Sequence, residues 1–293
     1  MPRLFEVIAA LNTLWPQDLA EEWDAVGTVC GDPDAEVGRV LFAVDPVRAV
    51  ADEAVRTGAD LLVTHHPLYL RGTTTVAADT FKGRVVHTLI THGIALHVAH
   101  TNADRADPGV SDALADALGV RPTGPLVPDP GDPRGRRGLG RICAVEPPLT
   151  LGELAARAAA LLPAAAQGVR AAGDPDLSVR TLAVCGGSGD SLFDQVRAAG
   201  VDAYLTADLR HHPASEAREH GPLALLDAAH WATEHPWCRL AATQLAAVSE
   251  RHGWGLAFAV SDTVTDPWTA HAAPPAGAPA AGPSTDSSEG APN

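Results

Sequence analysis

The chain has 293 residues, of which 46% are hydrophobic and 19% are charged, and its formal net charge is −15. This composition is typical of a globular protein with a substantial core. No segment of the sequence approaches the roughly 20 apolar residues that a membrane-spanning helix needs. The negative charge argues against non-specific binding to nucleic acid or to an anionic membrane, because both carry charge of the same sign.

The N-terminus and the cysteines indicate the compartment. Glu6 stands where a signal peptide would have its apolar core, so we expect a cytoplasmic protein. The four cysteines are scattered and contain no CxxC pair. They predict buried thiols in a reducing environment rather than a structural zinc site.

Helical and strand-like segments alternate along the chain. The first half predicts helix 3–14, strand 39–44, helix 45–56, strand 59–64, helix 83–92 and strand 94–99. After a Pro/Gly/Arg-rich candidate linker at 122–140, the second half predicts strand 140–145, helix 151–162, strand 181–185, helix 190–199, strands 201–206 and 223–228, helix 236–252 and strand 255–260. This alternation predicts an α/β fold of sheets covered by helices. Residues 269–293 are rich in Ala, Pro, Gly and Ser and predict a disordered tail.

Two adjacent histidines, His65 and His66, follow the buried strand 59–64 and precede Pro67. Proline cannot donate to a sheet ladder, so it ends the strand and leaves both imidazoles in a turn. Open α/β sheets place their active sites at such strand ends, and imidazole is a common metal ligand. For this motif alone, metal ligands and a plain pair of loop histidines are equally good interpretations.

Two further strands end in comparable residues. His100 to Asp104 combines His, Thr, Asn and Asp, which suit a hard or borderline cation but also build ordinary turns. His230 and Glu234 are spaced i, i+4 and could share an ion from one helical face. Pro236 favours the first turn of a helix, so we expect 230–234 to be an irregular lead-in; a surface His–Glu pair is the alternative.

Together these motifs supply five nitrogen and oxygen ligands: His65, His66, Asp104, His230 and Glu234. Five ligands exceed what one open four-coordinate zinc site needs, and they suit two ions about 3.5–4 Å apart. We therefore expect two divalent metal ions. Without a thiolate ligand, Zn, Fe, Mn, Co and Ni all fit the donor set.

Three other segments have open interpretations. Gly186 to Asp190 could cradle a phosphate at a helix N-terminus, although a plain tight turn is favoured. Asp208 to His212 could support ligands or contact substrate, or form a solvated turn. Trp23-Asp24 could close the site or simply end a helix. The roles of four further histidines, His97, His100, His211 and His212, stay open.

These motifs, in this order, resemble the dinuclear-metal-centre hexameric proteins. These are relatives of NGG-one-interacting factor three and are also known as GTP cyclohydrolase 1 type 2 homologues. The resemblance spans roughly residues 3–268 and also includes Trp23 to Gly27, Gly186 to Gly189, Thr206 to Asp208 with His211-His212, and Ser261 to Trp268. Ala25, Ala103 and Ala207 depart from the usual Asn, Leu and Gly of the family. Of these, Ala25 puts a substrate contact near Trp23 in doubt.

The resemblance implies a division of the chain and an assembly. A metal-binding α/β domain would comprise 1–121 and 226–268, and a second α/β domain would comprise 122–225. Each would have a mixed sheet covered by helices, and six copies of the chain would assemble into a toroidal homohexamer. The short 122–180 region leaves no room for the extra domain of larger relatives. Carried over by position, the metal ligands are the same five residues, and the two ions face an internal cavity.

The function that follows is a dinuclear metal-binding protein acting as a metal-dependent hydrolase of the GTP cyclohydrolase 1 type 2 kind. The resemblance implies no identified catalytic side chain: a water activated by the metals would attack the purine C8, with Glu234 assisting proton transfer. The substrate is then a small molecule such as a nucleotide, whose phosphates would need the metals or arginines such as Arg71 and Arg105. The alternative is a metal-binding or regulatory scaffold without turnover.

Overall fold

A computed structural model describes residues 1–272, so positions 273–293 of the predicted tail lie outside the described residues. The strands are β1 (Gly27–Cys30), β2 (Arg39–Ala43), β3 (Leu61–Thr64), β4 (Ala95–Val98), β5 (Arg121–Pro128), β6 (Gly138–Thr150), β7 (Val169–Ala172), β8 (Ser178–Ser188), β9 (Ala203–Ala207), β10 (Ala224–Ala228) and β11 (Ala257–Val260). The helices are α1 (Leu4–Leu14), α2 (Arg48–Thr57), α3 (Phe81–Thr91), α4 (Thr101–Arg105), α5 (Val110–Leu118), α6 (Leu151–Leu161), α7 (Phe193–Ala199), α8 (His211–Glu219) and α9 (His230–His252).

The strands form two mixed sheets. The first has the order β1-β4-β3-β2-β11, in which only β1 runs antiparallel to its neighbour. The second has the order β5-β6-β8-β9-β10-β7, with a parallel centre of β8, β9 and β10. The predicted α/β class with mixed, helix-covered sheets is thus confirmed. Among residues 1–272, no helix is both long and apolar enough to cross a membrane.

The largest apolar cluster lies between the sheets. It combines residues of β2 and β3 with residues of β8, β9 and β10, and α1, α5 and α9 fill the space between them. The outer face of the first sheet packs on α2 and α3, and the outer face of the second packs on α7 and α8. Strand β3 is buried along its whole length because parallel central strands are covered on both faces.

The prediction of a linker at 122–140 is wrong. Residues Arg121–Pro128 form β5, which pairs antiparallel with β6 from Gly138 onward, so most of this segment is a hairpin. The prolines of β5 are tolerated because it is an edge strand and only one of its sides needs amide donors.

The expected lead-in at 230–234 is also wrong, since α9 begins at His230 and contains Pro236. An internal proline costs a helix about 3 kcal/mol, and tertiary packing offsets it here. The Trp237 ring next to the proline is fully buried and stacks at a tilt on Trp15, with ring centroids 5.2 Å apart. In the first turn, the Thr233 hydroxyl donates to the His230 carbonyl oxygen.

The strands divide between the sheets at a different point from the predicted domain boundary. Residue 226 lies inside β10, which belongs to the second sheet. The chain returns to the first sheet through α9 and β11. The division into two domains stays a prediction.

Candidate metal centre

Three strand ends carry the candidate ligands. His65 and His66 follow β3, and their amides continue its ladder by donating to the Ala43 and Val44 carbonyl oxygens. His100 follows the adjacent β4, and Asp104 lies one turn later on α4. His230 and Glu234 occupy the first two turns of α9, directly after β10. The list of ligand positions is therefore His65, His66, His100, Asp104, His230 and Glu234.

Glu234 lies at the centre of this cluster. Its Oε1 is 3.0 Å from His230 Nε2 and 3.5 Å from His65 Nε2, and its Oε2 is 3.1 Å from His66 Nε2. His65 Nε2 is also 3.8 Å from Asp104 Oδ1. One buried carboxylate thus contacts three imidazoles, so the structure brings all five sequence-predicted ligands together.

Every histidine of the cluster is held through its Nδ1 atom. Asp45 Oδ1 lies 2.7 Å from His66 Nδ1, and Asp208 Oδ2 lies 2.6 Å from His230 Nδ1. Asp24 Oδ1 lies 2.8 Å from His100 Nδ1. The imidazole of His65 is held by a backbone carbonyl oxygen instead, Ala99 O at 3.0 Å.

An Nδ1–H donated to a carboxylate or carbonyl leaves Nε2 as the basic nitrogen, and this is the usual arrangement of metal-ligating histidines. Asp45 was expected to cap α2, but it lies before the start of that helix, whose N-cap is Val47, and holds His66 instead. Its second oxygen accepts from the Thr265 hydroxyl.

The donor set fits metal ions. His65 Nε2 and Glu234 Oε2 are buried and lack a hydrogen-bond partner among the described residues, which is costly unless a further group satisfies them. Only glycine fits at position 187 without moving the cluster, because a Cβ there would lie 2.3 Å from Glu234 Oε1. Within residues 1–272, two ligand groups have donor atoms within 4.8 Å of one another: His65, His66 and His100, and His66, His230 and Glu234.

The charges of the cluster reinforce one another. Burial alone would raise the pKa of Glu234, but the neighbouring His66, His230 and His65 hold it well below its ordinary value. Burial opposes protonation of His230, yet Glu234 and the hydrogen bond to Asp208 raise its pKa to about 10. The cluster is therefore built around a carboxylate that is ionised at neutral pH and that attracts cations.

His100 is a ligand candidate that the sequence left unassigned. It belongs to the same strand-end motif as Asp104, and its ring centroid is 5.1 Å from that of His65. The edge of the exposed Trp23 ring lies over it, with centroids 6.0 Å apart, so Trp23 borders the site as one interpretation held. The signal that could have found His100 was its place at the end of β4, equivalent to that of His65 on β3.

His97, His211 and His212 lie elsewhere. His97 is buried in β4 and pairs with the Thr28 hydroxyl, and burial lowers its pKa to about 4. His211 and His212 begin α8, where their rings contact each other.

The glycine segment that was favoured as a tight turn lies beside the cluster. Gly186 and Gly187 are the two residues before Ser188, with which β8 ends. The Gly187 amide donates to the Thr233 hydroxyl. Gly187 has φ +69°, a conformation that disfavours other residues. The segment therefore packs against the first turn of α9 and the ligands it carries.

A cavity of about 210 Å³ opens next to His66 and His230. Asp266 and Trp268, from the segment after β11, line it together with Trp231 and Asp208. Asp266 is buried, and its Oδ2 has no hydrogen-bond partner within the described part of the chain. A ligand in this cavity would lie beside the Asp266 carboxylate and an exposed indole ring.

Fold and site define a two-sheet α/β protein with a buried histidine and carboxylate cluster at its strand ends. The sequence model of the Duf34/NIF3 (NGG1p interacting factor 3) family matches residues 2–267, so the chain belongs to that family. A GTP cyclohydrolase 1 type 2 homolog of Streptomyces coelicolor is 73% identical over 293 residues and 100% of both chains.

More distant relatives agree. A protein of the same name from Mycobacterium tuberculosis is 38% identical over 370 aligned positions, covering 91% of this chain and 96% of the relative. Among solved structures, a Bacillus cereus protein related to NIF3 superposes with a TM-score of 0.84 at 25% identity, covering 92% of this chain and 99% of that one. The resemblance to NGG-one-interacting factor three relatives is confirmed.

Proposed function

We propose that the cluster binds two divalent metal ions and that the protein is a metal-dependent hydrolase of the GTP cyclohydrolase 1 type 2 kind. The observation that carries the metal proposal is the shared orientation of four histidines. Each of them is held through Nδ1 by an acceptor, and their Nε2 atoms approach one another and Glu234. His65 Nε2 and Glu234 Oε2 are buried, and although they lie 3.5 Å and 3.1 Å from other atoms of the cluster, neither makes a hydrogen bond there; a metal ion would satisfy both.

Glu234 divides the ligands into two sets. His66 and His230 lie on one side, with Nε2 atoms 3.3 Å apart. His65 and Asp104 lie on the other, and His100 adds a further imidazole there. Glu234 contacts both sets, so it would be the bridging ligand. His65 and His66 would then serve different ions.

When bound, the ions would polarise a substrate oxygen and lower the pKa of a bound water. The residues around them supply orientation and proton positions. Asp45, Asp208 and Asp24 keep the Nδ1 protons of their histidines in place. Asp266 lines the adjacent cavity, and we assign its carboxylate as the acceptor for a substrate N–H, while Trp268 offers a planar surface to a ring.

The hydrolase proposal is supported by the names of the relatives and by this cavity, which places a reacting group within reach of His66 and His230. The alternative, a metal-binding scaffold without turnover, differs in one measurable respect. Metal-loaded protein incubated with GTP would yield a ring-opened product heavier by one water, or formate together with the deformylated product, for the hydrolase and unchanged GTP for the scaffold. Mass-detected chromatography with Zn, Mn, Fe, Co and Ni in turn separates the two, and Glu234→Gln should abolish any turnover.

The metal site itself has a separate test. His66→Ala should lower the metal content of purified protein, whereas His87→Ala, an exposed histidine on α3, should leave it unchanged. Elemental analysis after dialysis against trace metal gives the stoichiometry. Equal metal content in the two variants would refute the site.

The homohexamer is a proposal that rests on the family resemblance. Light scattering on the purified protein measures the mass directly, and a mass of one or two chains would contradict a toroid. The cytoplasmic location stays a prediction.

A further inference from the structure

Two further cavities continue from the one beside the metal ligands. The first, of about 590 Å³, shares Gln167, Asp208 and Trp268 with the 210 Å³ cavity. The second, of about 410 Å³, shares Arg170, Leu209 and Arg210 with the first. Together they form a continuous groove that starts at the candidate metal centre and runs between edge strand β7 and helix α8.

The small size of the cavity beside the metal ligands requires such an extension. Ligand pockets typically measure about 300–1,000 Å³, and 210 Å³ is too small for a whole molecule of nucleotide size. A ligand whose reacting group lies beside His66 and His230 must therefore extend past Trp268 into the larger cavity. The groove determines what the rest of that ligand can be.

The far part of the groove has more basic than acidic side chains, with Asp227 as the acidic residue of its lining, although the chain as a whole carries −15. Three arginines line it: Arg170 from β7, Arg210 before α8 and Arg218 near the end of α8. We call this stretch the arginine groove. By contrast, the near end is lined by the acidic residues Asp45, Asp208 and Asp266. The two ends thus suit different chemical groups.

The arginines of this stretch are held by hydrogen bonds to other protein atoms, and each still has N–H donors that make no such bond. Arg170 donates through Nε and Nη2 to Asp227 Oδ2, and Arg210 donates through the same two atoms to Asp190 Oδ2. Arg218 donates through Nη1 to the Leu223 carbonyl oxygen. A guanidinium has five N–H donors, so each side chain keeps further donors for a ligand. Arg170 and Arg210 are 66% and 75% exposed.

The spacing of the arginines selects an extended anion. Arg210 and Arg218 lie eight positions apart at the start and end of α8, about 12 Å along its axis at 1.5 Å per residue. Both line the same cavity, where they can contact separate oxygens of an extended anion such as a chain of phosphates. Guanidinium forks match phosphate oxygens in geometry and charge.

We propose that the arginine groove binds the polyphosphate arm of the substrate, with Arg170, Arg210 and Arg218 as the recognising residues. This inference rests on the proposed function, since it gives the reacting end of the ligand to the metal centre. It replaces Arg71 and Arg105 as phosphate candidates. Neither residue lines the three cavities of this groove: Arg105 lies on α4, and Arg71 lies on the exposed loop between β3 and α3.

The test uses inorganic tripolyphosphate as probe and metal-stripped protein, whose fold is verified by circular dichroism. Without metals, tripolyphosphate cannot bind through the ions, and in titration calorimetry the arginine variants separate binding in the groove from binding at the histidine cluster. Wild-type protein should bind tripolyphosphate, and Arg210→Gln and Arg218→Gln should each weaken binding about tenfold. Arg180→Gln is the matched control, because it removes the same charge from an exposed residue near the start of β8.

A second measurement uses metal-loaded protein and compares GTP with guanosine. GTP should bind more tightly, and Arg210→Gln should remove most of that advantage while leaving guanosine affinity unchanged. The inference is overturned if tripolyphosphate does not bind, if the Arg180 and Arg210 variants behave alike, or if GTP gains nothing over guanosine. The tripolyphosphate experiment contains no hydrolysable base, and product analysis of the GTP samples follows turnover separately, so failure of the hydrolase proposal would be seen as binding without reaction.

Discussion

Gly187 is the position where the smallest change should do the most damage to the proposed metal centre. Its backbone has φ +69°, and a Cβ built on it would lie 2.3 Å from Glu234 Oε1 and 3.0 Å from His230 Nε2. Gly187→Ala therefore pushes one methyl group into two candidate ligand atoms at once. The chemical identity of both ligands, Glu234 and His230, is unchanged in this variant.

The size of the effect follows from these distances. Ordinary contact with a Cβ begins at 3.4 Å, so Glu234 Oε1 must retreat by about 1 Å. Metal sites tolerate errors of only about 0.2 Å in ligand distance, so the bridging carboxylate would be lost to at least one ion. We expect metal affinity to fall by at least about 100-fold, since even the partners of ligands contribute 10–100-fold.

Backbone strain must be separated from the clash. An alanine with positive φ costs about 1–2 kcal/mol wherever it occurs. Gly200→Ala supplies that cost alone, because Gly200 has φ +65° and nothing lies within 4 Å of its Cβ position. In metal-free buffer Gly187→Ala should lose at least as much thermal stability as Gly200→Ala, because it adds the clash to the strain, and only Gly187→Ala should lose metal. If elemental analysis finds both variants equally loaded, the cradle that we describe does not control the site.

Three further outcomes are expected. Asp208→Asn keeps a residue tolerant of the left-handed backbone at φ 57° but removes the charge that orients His230, so competition with a metal indicator should show affinity about tenfold or more lower. Burial lowers the pKa of His97 from its ordinary 6.5 to about 4 in the folded protein. Between these two values the unfolded chain binds a proton at His97 that the folded chain does not bind, so the free energy of unfolding falls as the pH drops from about 6.5 to about 4. Urea unfolding at about pH 7.5 and about pH 5 should show roughly 2 kcal/mol lost from this residue, and His97→Leu should lack that part of the loss. Asp266→Asn should raise KM for GTP about tenfold with metal content unchanged, because it alters the only charged acceptor that we assign to substrate N–H groups; equal KM values would contradict that assignment.

The ligands could be predicted because each follows a strand whose apolar run is visible in the sequence. Leu61–Thr64 and Ala224–Ala228 are buried throughout, so their ends are marked by the first polar residues. Parallel strands bring such ends to one edge of a sheet. The approach of β3 to α9 across two sheets is a tertiary fact, which the shared chemistry of the three motifs suggested and the resemblance supported.

The partners of the ligands were harder to find. Asp45 follows β2, where Asp-Pro looked like a helix start, and Asp24 lies in a loop without regular structure. A carboxylate that holds an imidazole from 21 or 76 positions away leaves no periodic signal. Such residues are found only when the fold is known.

Two errors came from proline. The prolines of β5 suggested a linker because proline disfavours strands, yet an edge strand has an unpaired side where the missing amide costs little. Pro236 suggested a helix start, yet α9 runs through it because Trp237 and its neighbours are buried on both sides of that position. In both places tertiary context overrode local preference.

Helix α9 has a consequence for how the protein holds together. It leaves the second sheet at β10, packs on β2 and β11 of the first, and carries His230 and Glu234 to histidines that belong to the first sheet. Ions bound there would act as cross-links between the two layers. At free metal about 1,000 times above Kd, such cross-links would add about 4 kcal/mol to their adhesion. A chelator should therefore speed amide hydrogen exchange across the whole seam between the sheets, well beyond the ligands themselves.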